Sequence, residues 1–171
     1  MDTISRNLKR LIYLISPNKI YPDFYVELDK VLASKKVSFF QLRLKNKPSN
    51  EIIKIGKKIK IITQKHNVKL IINDNSILTK KINADGCHLG QKDKSIELAR
   101  KNIKKKIIGI TCHASKALAL EACKNKCDYI AFGSFFNSKL KPKAKKADRK
   151  ILIWAKKNIK KPIVVIGGIT D

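Results

Sequence analysis

Acidic residues are scarce in this chain: 13 Asp and Glu stand against 39 Lys and Arg in 171 residues, a formal charge of +26. Such a surplus suits an anionic partner, with nucleic acid the obvious one to test. The other ingredients of nucleic-acid recognition are in short supply. Only five of the basic residues are Arg, and aromatics make up 6% without interleaving with the lysine clusters as stacking platforms would. No zinc-finger, RNP or helix-turn-helix signature is present. Lysine and isoleucine recur as generic surface and core residues, so the charge reads as a solvated outer face. A basic nucleic-acid-binding protein remains a remote alternative.

Cysteine is also sparse. Cys87, Cys112, Cys123 and Cys127 are too few for a disulfide scaffold of this size, and thiols packed in a core are expected. Long hydrophobic runs are missing as well. The N-terminal MDTISRNLKRLIYLIS holds an apolar segment of only six residues with no small-residue cleavage site behind it. Neither a membrane span nor a signal peptide is expected, which leaves a cytoplasmic location by default. With 43% hydrophobic residues, the chain is expected to form one domain over 1–171 with a real core.

What is present is a regular alternation. Apolar runs recur as LIYLIS (11–16), SFFQLRL (38–44), KLIIND (69–74), GCHLG (86–90), KIIGIT (106–111), YIAFGS (129–134) and PIVVIGG (162–168). Each is followed by a lysine-studded segment. Between the second and third runs, Ile52, Ile55, Ile59 and Ile62 step by three and four residues, which predicts an amphipathic helix. Weaker helical patterns cover about 23–34, 76–82, 95–103, 115–125 and 148–158, with Asp93 or Ser95 and Ser115 as candidate caps. Near-continuous apolar strands alternating with helices point to a parallel sheet covered by helices. Seven such strands with no nucleotide fingerprint after the first favour a (β/α) barrel over a doubly wound sheet.

The polar residues are placed in a consistent way. Gln41, Arg43 and Lys45, then Asn73 and Asp74, then His88, Gln91 and Asp93, then Thr111 and His113, then Gly133, Ser134 and Lys141, and finally Gly167 and Gly168 all fall at or just past strand C-terminal ends. Barrels of this kind build their active sites there. Asp85 and Asp128 precede their strands, at the opposite end, where structural hydrogen bonding is expected. Asp74 and Asp93 would be two carboxylates on adjacent strands. They either hold Mg²⁺ whose shell a substrate phosphate completes, or cap the following helices. Arg43, Lys45 and Lys141 add cations suited to a polyphosphate. Gly167 and Gly168 permit close backbone approach to a phosphate. Zinc held by Cys87, His88, Cys112 and His113 is disfavoured, because adjacent strand residues face opposite ways. A Cys/His nucleophilic pair meets the same objection.

The motifs FQLRLK (Phe40 to Lys45, with Phe39 before them), LIINDN (70–75), DGCHLGQKD (85–93), IGITCH (108–113), DYIAFGSFF (128–136) and PIVVIGGI (162–169), in this order, resemble the thiamine phosphate synthase and thiazole tautomerase barrel family. The resemblance implies a transferase. It would join 4-amino-2-methyl-5-hydroxymethylpyrimidine diphosphate to thiazole phosphate, giving thiamine phosphate and pyrophosphate. It also implies Asp74 and Asp93 as Mg²⁺ ligands. Gln41, Arg43, Lys45, Asn73, Thr111 and Lys141 would surround the pyrimidine diphosphate, with Ser138 and Gly168 on the thiazole-phosphate side. The tautomerase branch, which has a histidine at the place of His113, is the nearer alternative. The intact Gly90, Gln91, Lys92, Asp93 segment favours the synthase.

Two departures from the family pattern stand out. Where the loop after the sixth strand resembles GPxxPTxTK in the family, this chain reads GSFFNSKLK (133–141), with Lys141 still in register. The resemblance also implies an eighth β/α unit that the sequence up to Asp171 does not contain. On that reading the chain is a C-terminally truncated synthase, an incomplete barrel of about seven parallel strands, and thiazole phosphate binding is expected to be weak. Inactivity of such a homologue is a further alternative. Open strand edges would also invite homo-oligomer formation.

Overall fold

The architecture is given by a computed structural model that describes residues 12–93, 95–136 and 146–169. Strands and helices alternate: β1 (Ile12–Ile15), α1 (Phe24–Ala33), β2 (Val37–Leu42), α2 (Ser49–Lys65), β3 (Lys69–Asn73), α3 (Ser76–Ile82) and β4 (Gly86–Leu89). The second part continues with α4 (Ile96–Ile103), β5 (Ile107–His113), α5 (Lys116–Lys124), β6 (Tyr129–Phe132), α6 (Lys150–Asn158) and β7 (Ile163–Val165). The seven strands form one parallel sheet in sequence order, a nearly closed TIM-like barrel wrapped by helices. Among the described residues, no strand pairs with the outer edge of β1 or of β7.

Sequence pattern explains these elements. The apolar stripe of α2 lies against the sheet, with Ile59 fully buried and Ile52, Ile55 and Ile62 packed around it. The Lys-rich face is left to water. Ser95 accepts a hydrogen bond from Leu98 N and Ser115 one from Leu118 N, satisfying amides that the first helical turn leaves unpaired. At α3 the cap is Asn75, whose side chain accepts from both Ile77 N and Leu78 N. Neither Asp74 nor Asp93 caps a helix in this way, so the capping alternative for the two carboxylates gives way to their neighbours.

The core lies outside the strands, between sheet and helices, in two clusters. One joins Phe40, Leu42, Leu70 and Ile72 to Leu28, Leu32, Ile59, Leu78 and Ile82 of α1 to α3. The other joins Cys87, Leu89, Ile108, Cys112, Ile130 and Phe132 to apolar residues of α4 to α6. Alternate strand residues face inward and fill the barrel with a different chemistry. Tyr13, Phe39, Gln41, His88, Thr111 and Tyr129 touch one another there through hydrogen bonds and ring contacts.

The strand N-terminal end is tied by a repeated device. Asp85 Oδ2 accepts from Leu70 N at 2.8 Å and from Lys60 Nζ at 2.7 Å. Asp128 Oδ2 accepts from Ile108 N and from Arg100 Nη2, each at 2.8 Å. Each aspartate thus pairs the amide of the second residue of a neighbouring strand and binds a cation from the helix layer, the structural role that their position implies.

Candidate active site

The loops leaving the strands are built to present side chains. Asp74 adopts a left-handed backbone (φ +61°), a conformation Asp tolerates better than most residues, and its N–H donates to His88 O at 2.7 Å. The strand pairing is thereby carried one residue past β3 before the chain turns. In the following loop Gly90 N donates to Asp93 Oδ2 at 2.6 Å, while Gln91 Nε2 donates to Thr111 O at 2.6 Å and latches the loop to β5.

These turns bring the Asp74 and Asp93 carboxyl groups into contact. Partial burial, then the hydrogen bond and the like charge of Asp93, push Asp74 up from the ordinary carboxylate value of 3.8 to about 6. Lys45 and Arg43 act in the opposite sense. Two carboxylates held this close repel unless they share a proton or a cation, and oxygen donors in small number are what Mg²⁺ takes when phosphate oxygens complete its shell. The pair fits that ion. Among the described residues, no group of three or more His, Cys, Asp and Glu gathers to form an all-protein metal cage.

Arg43 and Lys45 follow β2, and the β1 exit loop holds their backbone. Ser16 N donates to Gln41 O at 2.9 Å, Ser16 Oγ accepts from Arg43 N at 2.9 Å, and Asn18 Oδ1 accepts from Lys45 N at 2.7 Å. Ser16 and Asn18 were not distinguished by sequence; SPN after an apolar run reads as an ordinary turn, and their partners lie 27 residues on. A cleft of about 300 Å³ is lined by Lys45, Asn73, Asp74 and the apolar Leu42, Ile52 and Ile72. A second, of about 210 Å³, includes Gln91 and Asp93. Each carboxylate of the pair therefore borders open space.

Gln41 and His88 lie buried inside the barrel and Thr111 is half-buried. They are linked by a continuous run of hydrogen bonds. Gln41 Nε2 meets Tyr13 Oη at 3.1 Å, Tyr13 Oη meets Tyr129 Oη at 2.8 Å, Tyr129 Oη meets His88 Nδ1 at 2.8 Å, and His88 Nε2 meets Thr111 Oγ1 at 2.8 Å. Sequence reasoning placed Gln41 and Thr111 at the rim but took Tyr13 and Tyr129 for apolar strand residues.

The structure brings together Arg43, Lys45, Asn73, Asp74 and Asp93 at the exits of β2, β3 and the β4 loop, with Gln41 and Thr111 at the inner wall. Gly168 (φ +64°) follows β7. Beside it Gly167 (φ +101°) packs so closely on Ser134 that a methyl group there would overlap the serine side chain. Ser138 and Lys141 lie outside the described residues. Cys87 sits in the outer cluster while His88 faces the barrel interior, so the two cannot share one ion. Burial pushes the Cys87, Cys112 and Cys127 thiols up to about 12, which makes them poor nucleophiles.

Similarity to known proteins agrees with this geometry. The family model described as thiamine monophosphate synthase matches residues 12–171. Thiamine-phosphate synthase of Pelagibacter ubique is 55% identical over 163 residues, spanning 94% of this chain and 78% of the relative. The enzyme of the same name from Erythrobacter litoralis is 38% identical over 164 residues, 93% of this chain and 77% of the relative. Among solved structures, thiamine phosphate pyrophosphorylase from Pyrococcus furiosus superposes with a TM-score of 0.83 at 30% identity, covering 95% of this chain and 77% of that one. With its strand order, its rim carboxylates and these relatives all in accord, the chain belongs to the thiamine monophosphate synthase family.

Proposed function

We propose that this protein is a thiamine-phosphate synthase that joins 4-amino-2-methyl-5-hydroxymethylpyrimidine diphosphate to thiazole phosphate, releasing pyrophosphate and forming thiamine phosphate. The observation that carries the reading is the contact between Asp74 and Asp93 beside Arg43 and Lys45. Two carboxylates alone would repel a diphosphate; with Mg²⁺ between protein and substrate, they become its anchor. Asp74 and Asp93 are the residues to hold the ion, which when bound supplies charge neutralisation to the departing pyrophosphate.

The protein's own groups do the rest. Arg43, Lys45 and Lys141 bind the diphosphate oxygens and stabilise the charge that builds as the bond from the pyrimidine methylene carbon to oxygen breaks, its electron pair leaving with pyrophosphate. Asn73 and Thr111 add polar contacts to the same substrate, and Gln41 orients the pyrimidine ring. The thiazole nitrogen then donates its lone pair to the methylene carbon, forming the C–N bond. Ser138 and Gly168 hold the thiazole phosphate. No proton needs to be removed from the attacking nitrogen, so the reaction calls for neither a general base nor a protein nucleophile.

The test is pyrophosphate release in a coupled assay with both substrates and Mg²⁺. Asp74→Ala and Asp93→Ala should each abolish it; turnover that survives both changes overturns the metal assignment. No helix of the described residues is long and apolar enough to cross a membrane. A cytoplasmic location forms part of the same proposal, supported by four free thiols and checked by cell fractionation. Self-association is the remaining part. Ile12 on β1 and Val165 on β7 are exposed on the edge strands, and light scattering on the purified chain would detect a dimer.

A further inference from the structure

With the Gln41 amide placed as the structure has it and His88 neutral, one direction satisfies every hydrogen bond of the run inside the barrel. Gln41 Nε2 donates to Tyr13 Oη, which leaves Oε1 as the amide atom able to accept. Tyr13 then has its own O–H to place, and among the described residues the acceptor at hand is Tyr129 Oη. Tyr129 in turn has its own O–H to place, and His88 Nδ1 at 2.8 Å is the acceptor that takes it. A neutral imidazole that accepts at Nδ1 carries its proton on Nε2, which donates to Thr111 Oγ1. Thr111 is left with its O–H free to donate outward. Burial raises both phenols well above their ordinary value of 10, so neither loses the proton that the run requires.

Packing holds the central member in place. The Tyr129 ring lies over Gly109 so closely that a methyl group at that position would overlap it, and it stacks on His88 with centroids 5.6 Å apart. Tyr13 is likewise stacked on Phe39, at 5.7 Å and 9° between planes. The hydroxyls are consequently fixed in space, and reversing the run would require a Gln41 flip, a change of His88 tautomer and rotation of three hydroxyls together.

We propose that Tyr13, Tyr129 and His88 are positioning residues that lock Gln41 as an acceptor and Thr111 as a donor, and thereby set specificity for an amino-bearing pyrimidine carrying an anionic tail. This rests on the substrate reading above and deepens it. The locked polarity suits an exocyclic amine at Gln41 Oε1 and a phosphate oxygen at Thr111 Oγ1. A 4-oxo analogue would set one acceptor against another at Gln41. Reversing the run to receive it would turn the Thr111 proton inward and remove the donor to phosphate. Discrimination at one end of the substrate is thus enforced from the other.

Two measurements on the full chain test this separately. The first needs no substrate. Nitrogen-15 NMR of histidine-labelled protein, with His88 assigned by comparison with His88→Gln, should show a neutral ring protonated on Nε2. A ring protonated on Nδ1, or on both nitrogens at pH 7.5, overturns the proposal even if the enzyme is an active synthase. The second compares kcat/KM for the amino substrate and its 4-oxo analogue. Tyr129→Phe keeps the ring and removes the hydroxyl, and should narrow the ratio about tenfold or more while leaving KM for thiazole phosphate unchanged. An unchanged ratio in this variant and in Tyr13→Phe overturns the proposal; the second variant serves if the first does not fold. Absence of any turnover with the amino substrate would sink the synthase reading, and the tautomer would then decide the direction of the run by itself.

Discussion

Replacing Asp74 by Asn should make the metal-free protein more stable and the metal-bound protein less so. Asparagine keeps the shape of the side chain and tolerates the left-handed backbone at this position, so the substitution isolates charge. In the folded chain the Asp74 carboxyl is raised from 3.8 to about 6, chiefly by burial and then by Asp93. Between those values the unfolded chain releases its proton while the folded chain still holds one. Stability therefore falls as pH rises through this window and stays lower above it. A shift of that size corresponds to about 3 kcal/mol at full value. Because the carboxyl is only half-buried, solvent screening reduces the expectation to about 1 kcal/mol.

For a chain of this length such a change moves Tm by roughly 2–4 °C. Thermal unfolding followed by circular dichroism in EDTA should thus show Asp74→Asn melting higher than the parent at pH 8 and level with it near pH 4. Adding Mg²⁺ at about a hundred times its dissociation constant should stabilise the parent by about 2.7 kcal/mol and leave the variant unmoved. The two curves then change order. A variant that melts below the parent in EDTA at pH 8, or one that responds to Mg²⁺ as the parent does, would refute the account of the carboxyl pair.

Three further outcomes follow from contacts described above. Asp85→Ala leaves Lys60 and Leu70 N–H without their acceptor at the opposite end of the barrel; urea unfolding should show a loss of about 2–4 kcal/mol, with kcat for pyrophosphate release unchanged. Asn18→Ala frees the Lys45 backbone, and should raise KM for the pyrimidine diphosphate about fivefold with little change in Tm, measured by steady-state kinetics and differential scanning fluorimetry. At pH 8 only about one in ten thousand of the Cys87, Cys112 and Cys127 thiols is ionised, so brief native alkylation read by mass spectrometry should label Cys123 ahead of the other three, and all four in denaturant.

Most of the architecture was legible in the sequence because each strand is an apolar run and each helix carries a lysine face. The α2 stripe of Ile52, Ile55, Ile59 and Ile62 is the clearest case. Element ends were less so. The PIVVIGG run yields a strand of only three residues, Ile163–Val165, bounded by Pro162 and by glycines at positive φ. At Asp74 and Asp93 the local sequence suits a helix cap as well as a metal ligand, and it is Asn75 and Ser95 that supply the caps. The inner hydrogen-bonded run was hidden for a physical reason. Tyr13 and Tyr129 are 116 residues apart, and a tyrosine within an apolar run looks the same whether its hydroxyl reaches water or a partner across the barrel. Ser16 and Asn18 were missed for want of any local pattern, since what they cap belongs to another strand.

The two outer clusters divide the barrel between β3 and β4, and the division has a consequence for how it opens. Each cluster closes around its own strands and helices, so each is a natural unit of local unfolding, joined to the other by the pairing of β3 with β4 and by α3 packed on α4. Asp74 leaves the last strand of one unit and Asp93 the first loop of the other. An ion held by these two carboxylates would act as a clasp across the junction, and hydrogen exchange should slow on both sides of it when Mg²⁺ binds. Substrate diphosphate, by completing that clasp, would close the seam in the same act that readies its own departure.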